Sequence, residues 1–83
     1  MTSPKILTIK YFAALREQAG RSEEQRQTEV GSAAELYTEL AQAYDLKLAL
    51  QDLKVAINNS YQPLETELQN GDTVVFIPPV SGG

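Results

Sequence analysis

The 83-residue chain contains no cysteine and no histidine. Without cysteine there is no disulfide, no thiolate nucleophile and no zinc cluster; without histidine, the side chain that ordinarily moves protons near neutral pH is missing. Ser, Lys, Asp and Glu remain, but no spacing among them pairs a nucleophile with a base, and there is no glycine-rich phosphate loop. These gaps leave no metal site in view, argue against self-contained catalysis and suggest a chain that acts as a substrate or partner. Positive charge is also scarce. Seven Lys+Arg against eleven Asp+Glu give a net charge of −4 and a pI of about 4.6, so phosphate neutralisation cannot supply a large binding term. Nucleic acid is therefore not expected as a partner, and a basic protein surface is a better match. No apolar run approaches the roughly 20 residues of a membrane span, and Met1-Thr2-Ser3-Pro4-Lys5 lacks the apolar core of a signal peptide. The expectation is a cytoplasmic protein with no membrane association.

What is present is an ordinary globular composition, 42% hydrophobic and 22% charged, expected to form one domain over residues 1–83 without a metal. A core of that size leaves no room for a spacious internal cavity, so function belongs at a surface or an end. From Lys5 to Phe12 the residues alternate, predicting a strand with Leu7, Ile9 and Tyr11 toward the core. Ala13 to Ala19 reads as a short helix, with Leu15 and Ala19 on one face and Gly20 at its C-terminus. Ser22 to Val30 is almost wholly polar, so a strand there could only be an edge. Ser32 and Glu35 form a capping pattern, and Ala33, Leu36, Tyr37, Leu40 and Tyr44 follow on one stripe of the main helix. Leu46, Leu48 and Leu50 should tuck under that helix's end.

Val55 and Ile57 mark a further short strand, closed by the turn-like Asn58-Asn59-Ser60, and Pro63 argues against a central strand at its position. Asn70-Gly71-Asp72 is a turn signal handing directly to Thr73-Val74-Val75-Phe76-Ile77. That uncharged run predicts a central strand buried on much of both faces. The order is strand, small helix, weak strand, main helix, strand, turn, strand, an α+β fold with one helix packed across a mixed sheet. With the first and last strands adjacent and parallel, this is the ubiquitin-like β-grasp.

The last strand runs into Pro78-Pro79-Val80-Ser81-Gly82-Gly83. The two prolines fix φ and remove ladder donors, so the strand stops at Ile77 and the 78–83 segment leaves as a flexible but directed tail. Gly82 and Gly83 carry no side chains and can thread a narrow channel, leaving the terminal carbonyl open to chemistry.

Three stretches resemble the family of small, sulfur-carrying subunits of molybdopterin synthase: Phe12-Ala13-Ala14-Leu15-Arg16-Glu17-Gln18-Ala19-Gly20, the Asn70-Gly71-Asp72 turn before the last strand, and the Pro-Pro-Val-x-Gly-Gly ending. The likeness covers nearly the whole chain. It implies that the Gly83 carboxylate is adenylated by a ubiquitin-activating-like enzyme using ATP and magnesium, with no cofactor held permanently by the chain, and is then converted to a thiocarboxylate. It further implies a large-subunit partner, in a heterotetramer of two small and two large subunits, where Gly83 gives sulfur to a cyclic pyranopterin monophosphate. On that reading Gly82, Ser81, Val80, Pro79 and Pro78 steer and thread the tail, and acid or base groups lie on the partner.

Alternation that buries Tyr11, Val74 and Phe76 turns Phe12, Val75 and Ile77 outward, with Tyr61 placed beside them, and this cluster is the expected dock. Arg16 and Glu17 read as solvent-facing helix charges outside the site. Three other functions share parts of the pattern: a sulfur carrier for thiamine, cysteine or transfer-RNA thiolation, a ubiquitin-like protein modifier, and a plain interaction module.

Overall fold

A computed structural model of the chain describes residues 3–79. Its elements are β1 (Lys5–Tyr11), α1 (Ala13–Ala19), β2 (Glu23–Thr28), α2 (Ala33–Tyr44), a 3-10 turn (Leu50–Asp52), β3 (Lys54–Ile57), β4 (Ser60–Gln62) and β5 (Thr73–Ile77). The strands form one mixed sheet in the order β2-β1-β5-β3-β4, with β1 parallel to β5 and all other neighbours antiparallel. The β-grasp arrangement is therefore present. Among the described residues no helix is long and apolar enough to cross a membrane.

The two helices begin and end where their residues dictate. In α2, Ser32 accepts from the Glu35 amide while Glu35 reaches back to the Ser32 amide, a reciprocal cap that contributes on the order of 1 kcal/mol. Gly20 ends α1 at φ 75°, returning its amide to the Arg16 carbonyl, a conformation that only glycine adopts without steric cost. Leu36, Tyr37 and Leu40 of α2 pack with Leu7, Ile9, Tyr11, Val74 and Phe76 in a single buried cluster. The Tyr37 and Phe76 rings meet edge to face, 5.4 Å apart. The helices thus cover one face of the sheet.

Three features depart from the sequence reading. Ser60 belongs to a fifth strand, not to the turn: Asn58 and Asn59, at φ 52° and 70°, make a two-residue hairpin loop that pairs Ile57 with Ser60. Both residues in the left-handed region match the twist that such hairpins need, and asparagine tolerates it. Secondly, β5 is central, with strands on both sides, but its outer-face residues Thr73, Val75 and Ile77 are only half-buried, because neighbouring strands rather than a second layer shield them. Finally, Leu53 and Leu68 are core residues on connecting segments, where no periodicity marks them.

β2 is the expected polar edge strand, yet its polar residues have structural work. Glu24, Arg26 and Thr28 alternate toward the helix side. Glu24 accepts from the Tyr11 hydroxyl at 2.5 Å and from the Tyr44 hydroxyl, while Arg26 and Thr28 both donate to Glu39 of α2, at 2.7 and 3.0 Å. Arg21 lies over the Tyr44 ring, 5.1 Å from its centre. Burial, reinforced by the Glu24 carboxylate, pushes the Tyr11 and Tyr44 hydroxyls above their ordinary pKa, while the hydrogen bond that Arg26 donates to Glu39 raises that of Arg26.

Candidate functional site

The strand order decides where the tail begins. Tyr11 at the end of β1 lies opposite Phe76, and Lys54 at the start of β3 lies opposite Ile77, so the chain leaves β5 at the margin formed by the end of β1 and the start of β3. Pro78 is half-buried there and Pro79 is exposed. Val80, Ser81, Gly82 and Gly83 lie outside the described residues.

The sheet face away from the helices passes directly into that exit. Register places Glu23, Lys10, Val75, Ala56 and Tyr61 side by side in one row across all five strands, and cross-strand partners share a face. The next row toward the tail holds Ile77 and Lys54. Phe12 follows Tyr11 in extended backbone, φ −118° and ψ 148°, before α1 begins, so alternation directs it to this same face. All four residues expected to form the dock therefore share one surface: Phe12 50% exposed, Tyr61 71% exposed, Val75 and Ile77 half-buried between them.

Sequence reasoning missed one apolar member of this surface. Ile6, 54% exposed, also points away from the core, and the alternation that placed Leu7 inward already contained that signal. Among the described residues the exposed large hydrophobics are Ile6, Phe12 and Tyr61, and the sheet gathers all three on one face. Scattered singly they would need no explanation; Phe12 and Tyr61 flank Val75 and Ile77 toward the chain exit, with Ile6 at the far end of β1 beside Gly71, and on one face they form a surface suited to a protein partner.

The backbone is held tightly beside this exit. Ala13 adopts φ 52°, in the left-handed region, while the Phe12 carbonyl accepts from the amides of Leu15 and Arg16 at 3.0 and 3.4 Å. For a residue with a Cβ that conformation costs about 1 kcal/mol. It allows the chain to turn from strand to helix within one residue and leaves Phe12 on the open face. Among the described residues the arrangement pairs no nucleophile with a base; what it offers is a surface that can seat a partner.

Comparison with known proteins agrees with this geometry. The ThiS family model matches residues 9–83. A molybdopterin synthase sulfur carrier subunit from Haemophilus influenzae is 38% identical over 81 residues, covering 94% of this chain and 100% of that protein. One from Mycobacterium tuberculosis is 37% identical over 83 residues, covering 93% and 96%. Among solved structures, a protein assigned as molybdopterin converting factor subunit 1 of Pyrococcus furiosus superposes with a TM-score of 0.75 at 28% identity, covering 92% of this chain and 99% of that one. A chain from the complex of subunits 1 and 2 of the molybdopterin-converting factor of Helicobacter pylori gives 0.61 at 26% identity, covering 94% and 99%. With the resemblance in its sequence borne out at this length, and with the β-grasp sheet beneath it, the chain belongs to the ThiS family.

Proposed function

We propose that this protein is the sulfur carrier subunit of a molybdopterin synthase and that its reactive group is the carboxyl of Gly83. The observation that carries the reading is the placement of the exit of β5 on the margin of the sheet face that exposes Phe12 and Tyr61, with Ile6 at the far end of that same face. A large subunit seated on that face would receive the tail directly. The named relatives, at 37% and 38% identity over nearly the full chain, support the same function.

The chemistry follows from the carboxylate. With a pKa near ~3.5 it is an anion at neutral pH and resists nucleophiles. An activating enzyme of the ubiquitin-activating type, using ATP and magnesium, would convert it to an acyl-adenylate with release of pyrophosphate. A sulfur nucleophile then displaces AMP, leaving a thiocarboxylate. Gly82 and Gly83 pass through a channel too narrow for side chains, with Pro78, Pro79, Val80 and Ser81 setting the approach. In the large subunit the thiocarboxylate gives its sulfur to a cyclic pyranopterin monophosphate, and two such donations build the dithiolene. Two small and two large subunits would form the working assembly, in the cytoplasm. This chain carries the sulfur and the partner supplies the acid and base groups.

The test is the intact mass of the protein after incubation with ATP, magnesium, its activating enzyme and a sulfur donor, beside a variant lacking Gly83. A sulfur-for-oxygen gain confined to the full chain is expected. No gain with a demonstrably active enzyme overturns the reading, and isopeptide conjugates to other proteins would instead identify a modifier.

A further inference from the structure

The open face is not only apolar. Lys10 and Lys54 project from it on opposite sides of β5, in register with Val75 and Ile77, and both are exposed. Strand spacing and the two-residue offset put their Cα atoms about 12 Å apart. Among the described residues neither lysine takes part in an ion pair, whereas Arg21, Arg26 and Lys47 each do. Glu23 is the register partner of Lys10 on the outermost strand. Lys54 has Ile77 on one side and borders an open groove of about 680 Å³ whose other walls include Tyr61, Pro63 and Leu64. Four further acids are engaged elsewhere: Glu24 and Glu39 between β2 and α2, Glu35 in the cap of α2, and Asp72 with Asn58 at the end of β5 away from Ile77.

A chain of net charge −4 thus presents two exposed cations on the surface next to the exit of β5, Lys54 with no acidic register partner and Lys10 with Glu23 beside it. We propose that Lys10 and Lys54 are charge-specificity determinants of the dock, and that the partner's facing surface is apolar with carboxylates set opposite the two ammonium groups. Such charges steer encounter and reject wrong partners more than they add contact energy. Lys54 carries the larger share, because Glu23 already offsets Lys10. A carboxylate reaching Lys54 can arrive together with an apolar side chain seated in the adjoining groove. The inference rests on the sulfur-carrier reading, which supplies the partner.

The experiment measures binding of the full chain to the large molybdopterin synthase subunit of the same organism, at low and high salt, for wild type, Lys54→Glu, Lys10→Glu and Phe12→Asp, with thermal unfolding confirming that each variant folds. Lys54→Glu is expected to weaken binding about tenfold or more at low salt, mainly through slower association. Lys10→Glu should lose less, and both losses should shrink as salt approaches about 0.5 M, where the screening length falls to a few ångströms. Lys54→Gln serves where reversal harms folding and is expected to lose several-fold. Binding by wild type that Phe12→Asp weakens but the lysine variants leave unchanged or strengthen would overturn the charge proposal and keep the dock. Absence of wild-type binding would remove the sulfur-carrier reading and this inference with it.

Discussion

Tyr44, on the last turn of α2, donates its hydroxyl to Glu24 in edge strand β2 and stands 2.8 Å from each carboxylate oxygen. Tyr11 of the neighbouring strand donates to the same carboxylate, and its ring meets that of Tyr44 edge to face at 6.2 Å. One glutamate therefore fastens the main helix, the first strand and the sheet edge together. Glu24→Ala leaves two tyrosine hydroxyls without their acceptor, Tyr11 being 1% exposed, and is expected to cost about 2–4 kcal/mol. Equilibrium urea unfolding measures it; a change under about 0.5 kcal/mol would mean that water replaces the carboxylate.

Alkaline pH should act on the same cluster. Tyr11, Tyr44 and Tyr37 all hold their protons above the ordinary tyrosine range, chiefly through burial. The unfolded tyrosines ionise from about pH 10 while the folded ones do not, so above that pH the native state binds more protons and unfolding becomes easier. Their contribution is complete below pH 10 and is lost as pH rises beyond it. Tyr11, the most buried of the three, dominates with a slope approaching 1.4 kcal/mol per pH unit. Chemical denaturation between pH 9 and about 12 should show the decline, with a shallower slope in Tyr11→Phe.

Ala13 tests the cost of the strand-to-helix turn. At φ 52° a glycine would remove the steric penalty, less its own greater freedom in the unfolded chain, so Ala13→Gly is expected to stabilise by about 0.5 kcal/mol. Ala13→Val should destabilise. A lower thermal midpoint for the glycine variant would show that this turn is unstrained in solution.

Phe12→Asp places a charge on the open face at its exit margin, just past the end of β1, without touching the core. The large subunit should then bind more than about tenfold more weakly, as for loss of an aromatic anchor, with the unfolding midpoint nearly unchanged. Unaltered affinity in a titration would take Phe12 out of the dock.

Deletion of Gly83, or replacement of Gly82 by a bulky residue, should abolish sulfur transfer and leave cooperative unfolding intact, since among the described residues the last member of the buried cluster is Phe76. Mass spectrometry reads the first effect and calorimetry the second. A loss of cooperativity in either variant would contradict this separation of fold from chemistry.

The sequence made the strand faces of Leu7, Ile9, Tyr11, Val74 and Phe76 legible because period-two alternation is a local property. The Ser32 and Glu35 cap was readable for the same reason. β4 escaped notice because three exposed residues, Ser60–Gln62, carry no alternation of their own and are ordered by the Asn58-Asn59 turn and by β3. The bonds from Glu24 to Tyr11 and Tyr44 span 13 and 20 residues, and nothing in a polar edge strand announces which distant partners its charges will meet. For the candidate site, the outward faces of Phe12, Val75 and Ile77 could be read directly. Their alignment with Lys54 and Tyr61 needed the strand order, which only the sheet supplies.

The position of β5 also determines how the protein bears a load. Because β5 is bonded along one side to β1 and along the other to β3, and interstrand bonds run broadly across the strand direction, a pull on the segment beyond Ile77 strains both ladders in shear. A partner drawing the end of the chain into a deep cleft would have to break these bonds nearly together rather than peel them one by one. The protein can therefore be held by its end without being unravelled from it.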